Sequence, residues 1–190
     1  MEPMLGDVRD GFRFRGGSLA LDFTATLAAR KREQTRELLE TPRALARWFA
    51  AAGLAVHEVN VTEDDLAAAR ALREALYRLA LARVGGAPLP AADRRLLNRH
   101  AALATPAPRL DAAGVHWSRA ETPALLAAIA RAGIELLGGP LAERVRQCSG
   151  HGCAILFVDM SRSGHRKWCS MSGCGNKAKV ATFRERNRTE

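Results

Sequence analysis

Four cysteines in this 190-residue chain fall in two pairs, Cys148/Cys153 and Cys169/Cys174. Each pair has the spacing C-x4-C, and fifteen residues separate the pairs. Each interval holds Gly and Ser, which let the backbone turn sharply enough for both sulfurs of a pair to face one point. Two such turns brought together supply the four soft ligands that zinc takes in a tetrahedron. A single zinc ion on Cys148, Cys153, Cys169 and Cys174 is therefore expected. Four protein ligands leave no open position for water, so its role would be structural. Three other readings compete. Two disulfides would need an oxidising compartment. A redox switch would more commonly use C-x-x-C. A histidine, His151 or His165, would have to displace a cysteine as ligand.

The residues between the pairs indicate how they meet. AILFVDM (154–160) reads as a strand, Arg162-Ser163-Gly164 as a turn, and His165 to Trp168 as a returning strand. A helix is expected from after Cys169 to about Arg186. Knuckle, hairpin, and a helix whose first turn carries the last ligands form a treble-clef arrangement. At about 100° per residue, Lys177, Arg184 and Arg188 line one flank of that helix and Lys179 and Arg186 the other. Asn176, Val180 and Phe183 lie between the flanks, and Ala178 and Ala181 face the finger. Such a helix suits the major groove of double-stranded DNA, with phosphates on either side and Asn176 placed to bond adenine. Arg162, Arg166 and Lys167 in the hairpin are further candidates for phosphate contact. In the competing reading, Val180 and Phe183 pack on neighbouring protein and Asn176 bonds backbone near the knuckle.

Charge supports the polyanion reading. The chain carries 29 Lys+Arg against 20 Asp+Glu, a net +9. Residues 1–143 hold only +2 of this and residues 144–190 hold +7. Four thiolates and a Zn²⁺ leave that last segment at +5, still basic. Gly138-Gly139-Pro140 precedes the change in composition, so the sequence divides into residues 1–143 and 144–190. No apolar run approaches the roughly 18 residues of a membrane span, and the first residues lack the apolar stretch of a secretory signal. Cytoplasmic residence with reduced thiols is expected.

The first part reads as mostly helical. Thr41-Pro42 opens PRALARWFAAAG, and Thr62 with three following acids opens a long helix to Gly85-Gly86. Leu72, Leu76 and Leu79 form that helix's buried face, with Arg70–Glu74 and Glu74–Arg78 paired on its outer face. Further helices follow Pro90 and Thr122-Pro123. RLDAAGVHWSR reads as a hairpin turning at Ala113-Gly114, with FRFRGG (12–17) as a strand beside it. The expected fold class is α+β, helices covering a small antiparallel sheet, followed by a zinc finger.

The segment from Cys148 to Arg188 resembles the CGNR zinc finger of bacterial regulators. Asp159, Ser161, Arg162, Trp168, Cys169, Ser170, Met171, Cys174, Gly175 and Asn176 match its pattern. Lys177 stands where that family has arginine, keeping the charge but losing the two-pronged guanidinium. Upstream, Leu21-Asp22-Phe23, Thr26, Glu37-Leu38-Leu39 and Leu45 to Trp48 are similar to the ABATE domain that precedes this finger, with Ala25 in place of its usual asparagine. The resemblance implies a stress-related transcription regulator with a ligand-sensing N-terminal domain and a DNA-binding finger.

Three function classes follow. The first is a zinc-dependent DNA-binding regulator with a small-molecule effector, for which Arg15, Asp22 and Trp48 are guessed pocket residues. A homodimer would extend one finger's small footprint, although no heptad pattern marks one. The second is a protein-interaction module docking on the transcription machinery or another acidic partner. The third, an enzyme, finds no P-loop, G-x-S-x-G or H-E-x-x-H. His57, His100 and His116 are scattered, and no catalytic residue is assigned.

Overall fold

Helix starts are set by local chemistry. In the computed structural model, which describes residues 7–55, 59–112, 114–118 and 121–186, the Thr41 hydroxyl accepts from the Ala44 N–H and opens α2 (Pro42–Ala51). Thr62 and Asp65 close a reciprocal capping box, with bonds of 3.1 and 3.0 Å, at the head of α3 (Glu63–Val84). The short α1 (Leu19–Thr24) precedes these, and α4 (Ala91–Ala101) and α5 (Thr122–Gly138) follow. Leu66, Leu72, Leu76 and Leu79 of α3 meet Leu125, Ile129 and Leu136 of α5 in one core. Gly133 lies where α5 crosses α3, and a Cβ there would overlap Leu76.

The strands form two-stranded antiparallel ladders. Among the described residues these are β1 (Asp7–Arg9) with β2 (Phe12–Phe14), β3 (Leu27–Ala28) with β4 (Arg36–Glu37), β5 (Ala107–Asp111) with β6 (Gly114–Ser118), and β7 (Val145–Gln147) with β8 (Leu156–Val158). The chain is α+β, as its sequence implies, but two expectations need correction. FRFRGG pairs back on residues 7–9 instead of joining the 107–118 hairpin, because Asp10 and Gly11 at positive φ make a tight turn between them. Among the described residues no helix layer covers that hairpin either: β5 is exposed along its whole length, and the helices bury their apolar faces on one another. Ala113, at the expected turn, lies outside the described residues.

The ladder that enters the core is β7–β8. Val145, Leu156 and Val158 pack with the α1, α3 and α5 side chains, and the Val158 N–H donates to the Gly16 carbonyl at 2.8 Å. Chain 144–190 is thus rooted in the same core as chain 1–143.

Charges on α3 find tertiary partners instead of the expected i,i+4 ones. Arg70 donates to the Leu39 carbonyl, Glu74 accepts a two-pronged bond from Arg30 (2.6 and 2.8 Å), and Arg78 donates a two-pronged bond to Asp93 (2.9 and 2.6 Å). Two-pronged, partly buried pairs are stronger than flexible surface ones. At their centre lies Arg73, 3% exposed, bonded to both Glu37 oxygens (2.6 and 2.8 Å) and to Glu74. Burial opposes ionisation of both glutamates. For Glu37 the bonds from Arg73 and the Leu39 N–H, with the charges of Arg73 and Arg70, together outweigh it, and for Glu74 the bonds and charges of Arg30 and Arg73 do, so both pKa values lie below the ordinary carboxylate value.

Candidate metal centre and nucleic-acid interface

Cys148 leaves β7 and Cys153 enters β8, so the first pair sits in the turn of that hairpin. The Cys148 N–H bonds the Ile155 carbonyl and the Cys153 N–H the Gly150 carbonyl, both at 2.9 Å. In the second pair Cys169 precedes and Cys174 lies within a tight turn, Met171–Gly175, whose start is capped by the Ser170 hydroxyl accepting from the Gly173 N–H (3.1 Å). From that turn α6 (Asn176–Arg186) runs on. Gly150 is where the two pairs meet: a Cβ there would sit 3.0 Å from the Cys174 Sγ.

The four Sγ atoms lie within 4.8 Å of one another. Cys153–Cys169 and Cys169–Cys174 are 3.9 and 3.8 Å apart, matching the edge of about 3.8 Å that a Zn–S length of about 2.3 Å gives a tetrahedron. All four are free thiols, which sets aside the disulfide reading. His151 and His165 are exposed and outside the cluster. Backbone N–H groups of Gly150 and Cys169 point at the Cys148 sulfur (3.4 and 3.3 Å), as a thiolate requires. Bonds from the Cys153 and Cys169 thiols, aided by those N–H groups, pull the Cys148 pKa down against burial. Cys169 is raised, chiefly through its bond with the Cys148 sulfur, and Cys174 is pushed up to about 11 by burial and then by the neighbouring sulfurs. A divalent cation among them removes this conflict and lets all four ionise. The residues fit one structural zinc, with every ligand supplied by the protein.

Beneath the sulfurs lies a second small core of Ala25, Ile155, Phe157, Cys148 and Cys169, with Trp168 packed against it. The returning strand expected over 165–168 is absent, since β8 pairs with β7 across the first knuckle. Residues 165–168 are instead tied down by single contacts, among them the Ser149 N–H to the Lys167 carbonyl (2.9 Å). Asp159, fully buried, accepts from the Ser161 and Arg166 N–H groups at 2.9 and 2.8 Å and closes the loop. Sequence reasoning assigned Asp159 no role, though an Asp two residues before a Ser is an Asx-turn signal.

The basic candidates divide. Arg166 is not displayed. Its guanidinium lies 4.8 Å over the Phe157 ring and donates to the Trp168 and Cys169 carbonyls, bracing the backbone that carries a ligand. Arg162 and Lys167 are exposed on the loop, and Asn176, Lys177, Lys179 and Arg184 are exposed on α6. The side chain of Arg186 and the whole of Arg188 lie outside the described residues. Val180 and Phe183 are 41% and 64% exposed, so neither packs on the first part of the chain. Ala178 is half-buried, but Ala181, expected to face the finger, is exposed because α6 projects beyond it.

Among the described residues the three candidate pocket residues, Arg15, Asp22 and Trp48, take separate structural positions. Trp48 is fully buried among Phe14, Phe23 and Phe49, its ring 4.8 Å from that of Phe23. Asp22 accepts from the Gly16 N–H (2.7 Å) and shapes the turn that receives β8. Arg15 reaches the metal-bearing turn, its Nη1 close against Gly173. A cleft among the described residues lies elsewhere, between residues 11–38 and the zinc knuckle, and none of the three lines it. His57 lies outside the described residues, as does the side chain of His116.

Asp22 carries a pH dependence. Burial, against bonds from the Gly16 and Arg15 N–H groups and the field of Arg9, pushes its pKa up from 3.8 to about 7. A carboxyl raised in the folded state keeps its proton there after the unfolded chain has released it. Stability therefore falls as pH rises from about 4 to about 7 and levels off above. Asp22→Asn, which keeps an acceptor for Gly16, is expected to remove that slope in urea unfolding between pH 5 and 8. At pH 8 the gain should be on the order of 2–4 kcal/mol; an unchanged slope would contradict this assignment.

The fold and the cysteine geometry define a zinc-finger protein whose finger is rooted in a helical α+β domain. Residues 17–140 match the ABATE family, described as "Putative stress-induced transcription regulator", and residues 144–187 match the CGNR zinc finger. The chain belongs to the ABATE family and ends in a CGNR zinc finger. No curated protein matches it. Among the described residues no helix is long and apolar enough to cross a membrane.

Proposed function

We propose that this member of the family is a cytoplasmic DNA-binding regulator. In this reading the zinc fixes the angle of α6, and α6 enters the major groove of double-stranded DNA. The observation that carries it is the exposure of α6. Lys177, Lys179 and Arg184 stand in solvent, and Asn176 has no side-chain hydrogen bond among the described residues. Arg162 and Lys167 extend the positive surface to the finger loop. The first domain would receive a small-molecule effector, and a second copy would lengthen the footprint. No enzymatic role is proposed.

The test is fluorescence anisotropy of the zinc-loaded chain with duplexes selected from a random pool. Affinity should fall steeply with salt. Lys179→Ala with Arg184→Ala should reduce the log–log salt slope by about 1.8, roughly 0.9 per lost phosphate contact. An unchanged slope, or no salt-dependent binding, contradicts the reading. The second reading, a protein-docking finger, draws on the exposure of Phe183 and Val180. It predicts that Phe183→Ala abolishes a saturable protein contact while leaving the salt slope intact.

A further inference from the structure

The cleft bordering the zinc knuckle has a volume of about 260 Å³. Arg13 from β2, Arg32 from the turn after β3, Arg36 from β4, His151 from the knuckle and Lys177 from α6 converge on it. Its lining contains no aspartate or glutamate. Elsewhere the chain matches its arginines: Arg30, Arg47, Arg73 and Arg78 each hold a carboxylate within 2.8 Å. No such partner exists for Arg13, Arg32, Arg36 or Lys177 among the described residues. The zinc tetrathiolate, whose Cys153 and Cys174 line the cleft, offsets two of these four positive charges, and the surplus favours an anion among them. The cleft is not polar throughout. Ala25, Leu27, Leu38 and Ile155 contribute its apolar surface.

We infer that this cleft binds a small organic anion, a carboxylate or phosphate monoester carrying an apolar group. The anionic end meets the arginines and Lys177, and the apolar group covers Ala25, Leu38 and Ile155. Guanidinium forks match carboxylate and phosphate oxygens in pairs, which favours these head groups over a halide-like ion. The volume lies just under the roughly 300 Å³ where drug-sized sites begin, so the ligand is of metabolite size. A phosphodiester backbone, polar along its length, would leave the apolar part of the cleft unused. The site also touches the metal centre, since Cys153 and Cys174 line it, and Arg32 packs on Gly152 between the knuckle cysteines, where a Cβ would lie 2.6 Å from its Nε. Lys177 belongs to the first turn of α6, so occupancy bears on the helix proposed to meet DNA. That regulatory consequence rests on the DNA-binding reading, whereas the binding site does not.

The experiment is a ¹H–¹⁵N NMR titration of the zinc-loaded full chain, without DNA, using phenyl phosphate, benzoate, inorganic phosphate and neutral benzamide. Phenyl phosphate and benzoate should saturate, with shifts centred on the amides of Ala25, Ala28, Gly152 and Lys177. Benzamide and inorganic phosphate should each bind at least about tenfold more weakly, a difference of roughly 1.4 kcal/mol. Arg13→Ala with Arg36→Ala, both exposed side chains, should weaken phenyl phosphate at least about tenfold with zinc content and spectral dispersion unchanged. No saturation below about 10 mM, shifts confined to the outer face of α6, equal binding of inorganic phosphate, or indifference to the double variant would each overturn the proposal. Because no nucleic acid is present, failure here leaves the DNA reading standing. Loss of DNA binding in the anisotropy assay, in turn, leaves this site standing.

Discussion

Serine in place of any one of Cys148, Cys153, Cys169 or Cys174 is expected to abolish zinc binding and unfold the finger while the helical core persists. The sulfurs stand at tetrahedral spacing within 4.8 Å, and three ligands cannot close the set. Beneath them lie only a few buried apolar side chains, Ile155 and Phe157 of the finger and Ala25 of the first domain, besides the cysteines themselves. Metal binding, worth about 10–16 kcal/mol in small finger peptides, dominates that balance. The β7–β8 ladder differs, because Val145, Leu156 and Val158 belong to the main core. Native mass spectrometry should show one zinc on the wild type and none on each variant. Hydrogen exchange should rise across 148–155 and 160–186 but not across the β7–β8 ladder, α3 and α5. A variant that keeps its zinc at wild-type affinity would remove that residue from the ligand set.

Arg73→Met is expected to destabilise the first domain by about 3–5 kcal/mol, the usual result of removing one partner from a buried ionic cluster. Arg73 is 3% exposed, and its loss leaves Glu37 without its two-pronged partner and Glu74 with Arg30 alone. Adding Glu37→Gln to Arg73→Met should recover part of the loss, because the stranded charge goes with it. Glu37 and Glu74 have pKa values lowered from 4.5. The wild-type advantage should therefore be complete above about pH 4.5 and fade as pH falls through their folded-state values. Urea unfolding of the three proteins at pH 7 and pH 3.5 measures both effects. A loss for Arg73→Met that is equal at both pH values would argue that packing, not charge, holds Arg73 in place.

The metal centre was legible in the sequence because ligand identity and spacing are local properties. The starts of α2 and α3 were legible for the same reason, since Thr41 and Thr62 act on N–H groups three residues away. Errors came where a distant partner decides. AILFVDM was rightly strand-forming over Leu156–Val158, but nothing within 154–168 announces that Val145–Gln147 is its partner. Arg166 looked like a phosphate contact because its charge is visible in sequence, whereas the Phe157 ring and the carbonyls that hold it appear only in the fold. Arg70, Glu74 and Arg78 stood at helical pairing distance, yet Leu39, Arg30 and Asp93 offered more buried and better-directed bonds. Trp48 suits a pocket lining by residue type, but the surrounding aromatic rings absorb it completely. The basic cleft is invisible in sequence because its cations come from β2, β3–β4, the knuckle and α6, and only folding brings those segments together.

The most direct measurement is the ¹H–¹⁵N spectrum of the zinc-loaded chain with and without a selected DNA duplex. The zinc-held α6 predicts shifts concentrated on Asn176, Lys177, Lys179, Val180 and Arg184, with a smaller set at Arg162 and Lys167, and their disappearance when a chelator strips the metal. Shifts confined to α3–α5, or binding that survives metal removal unchanged, would contradict it.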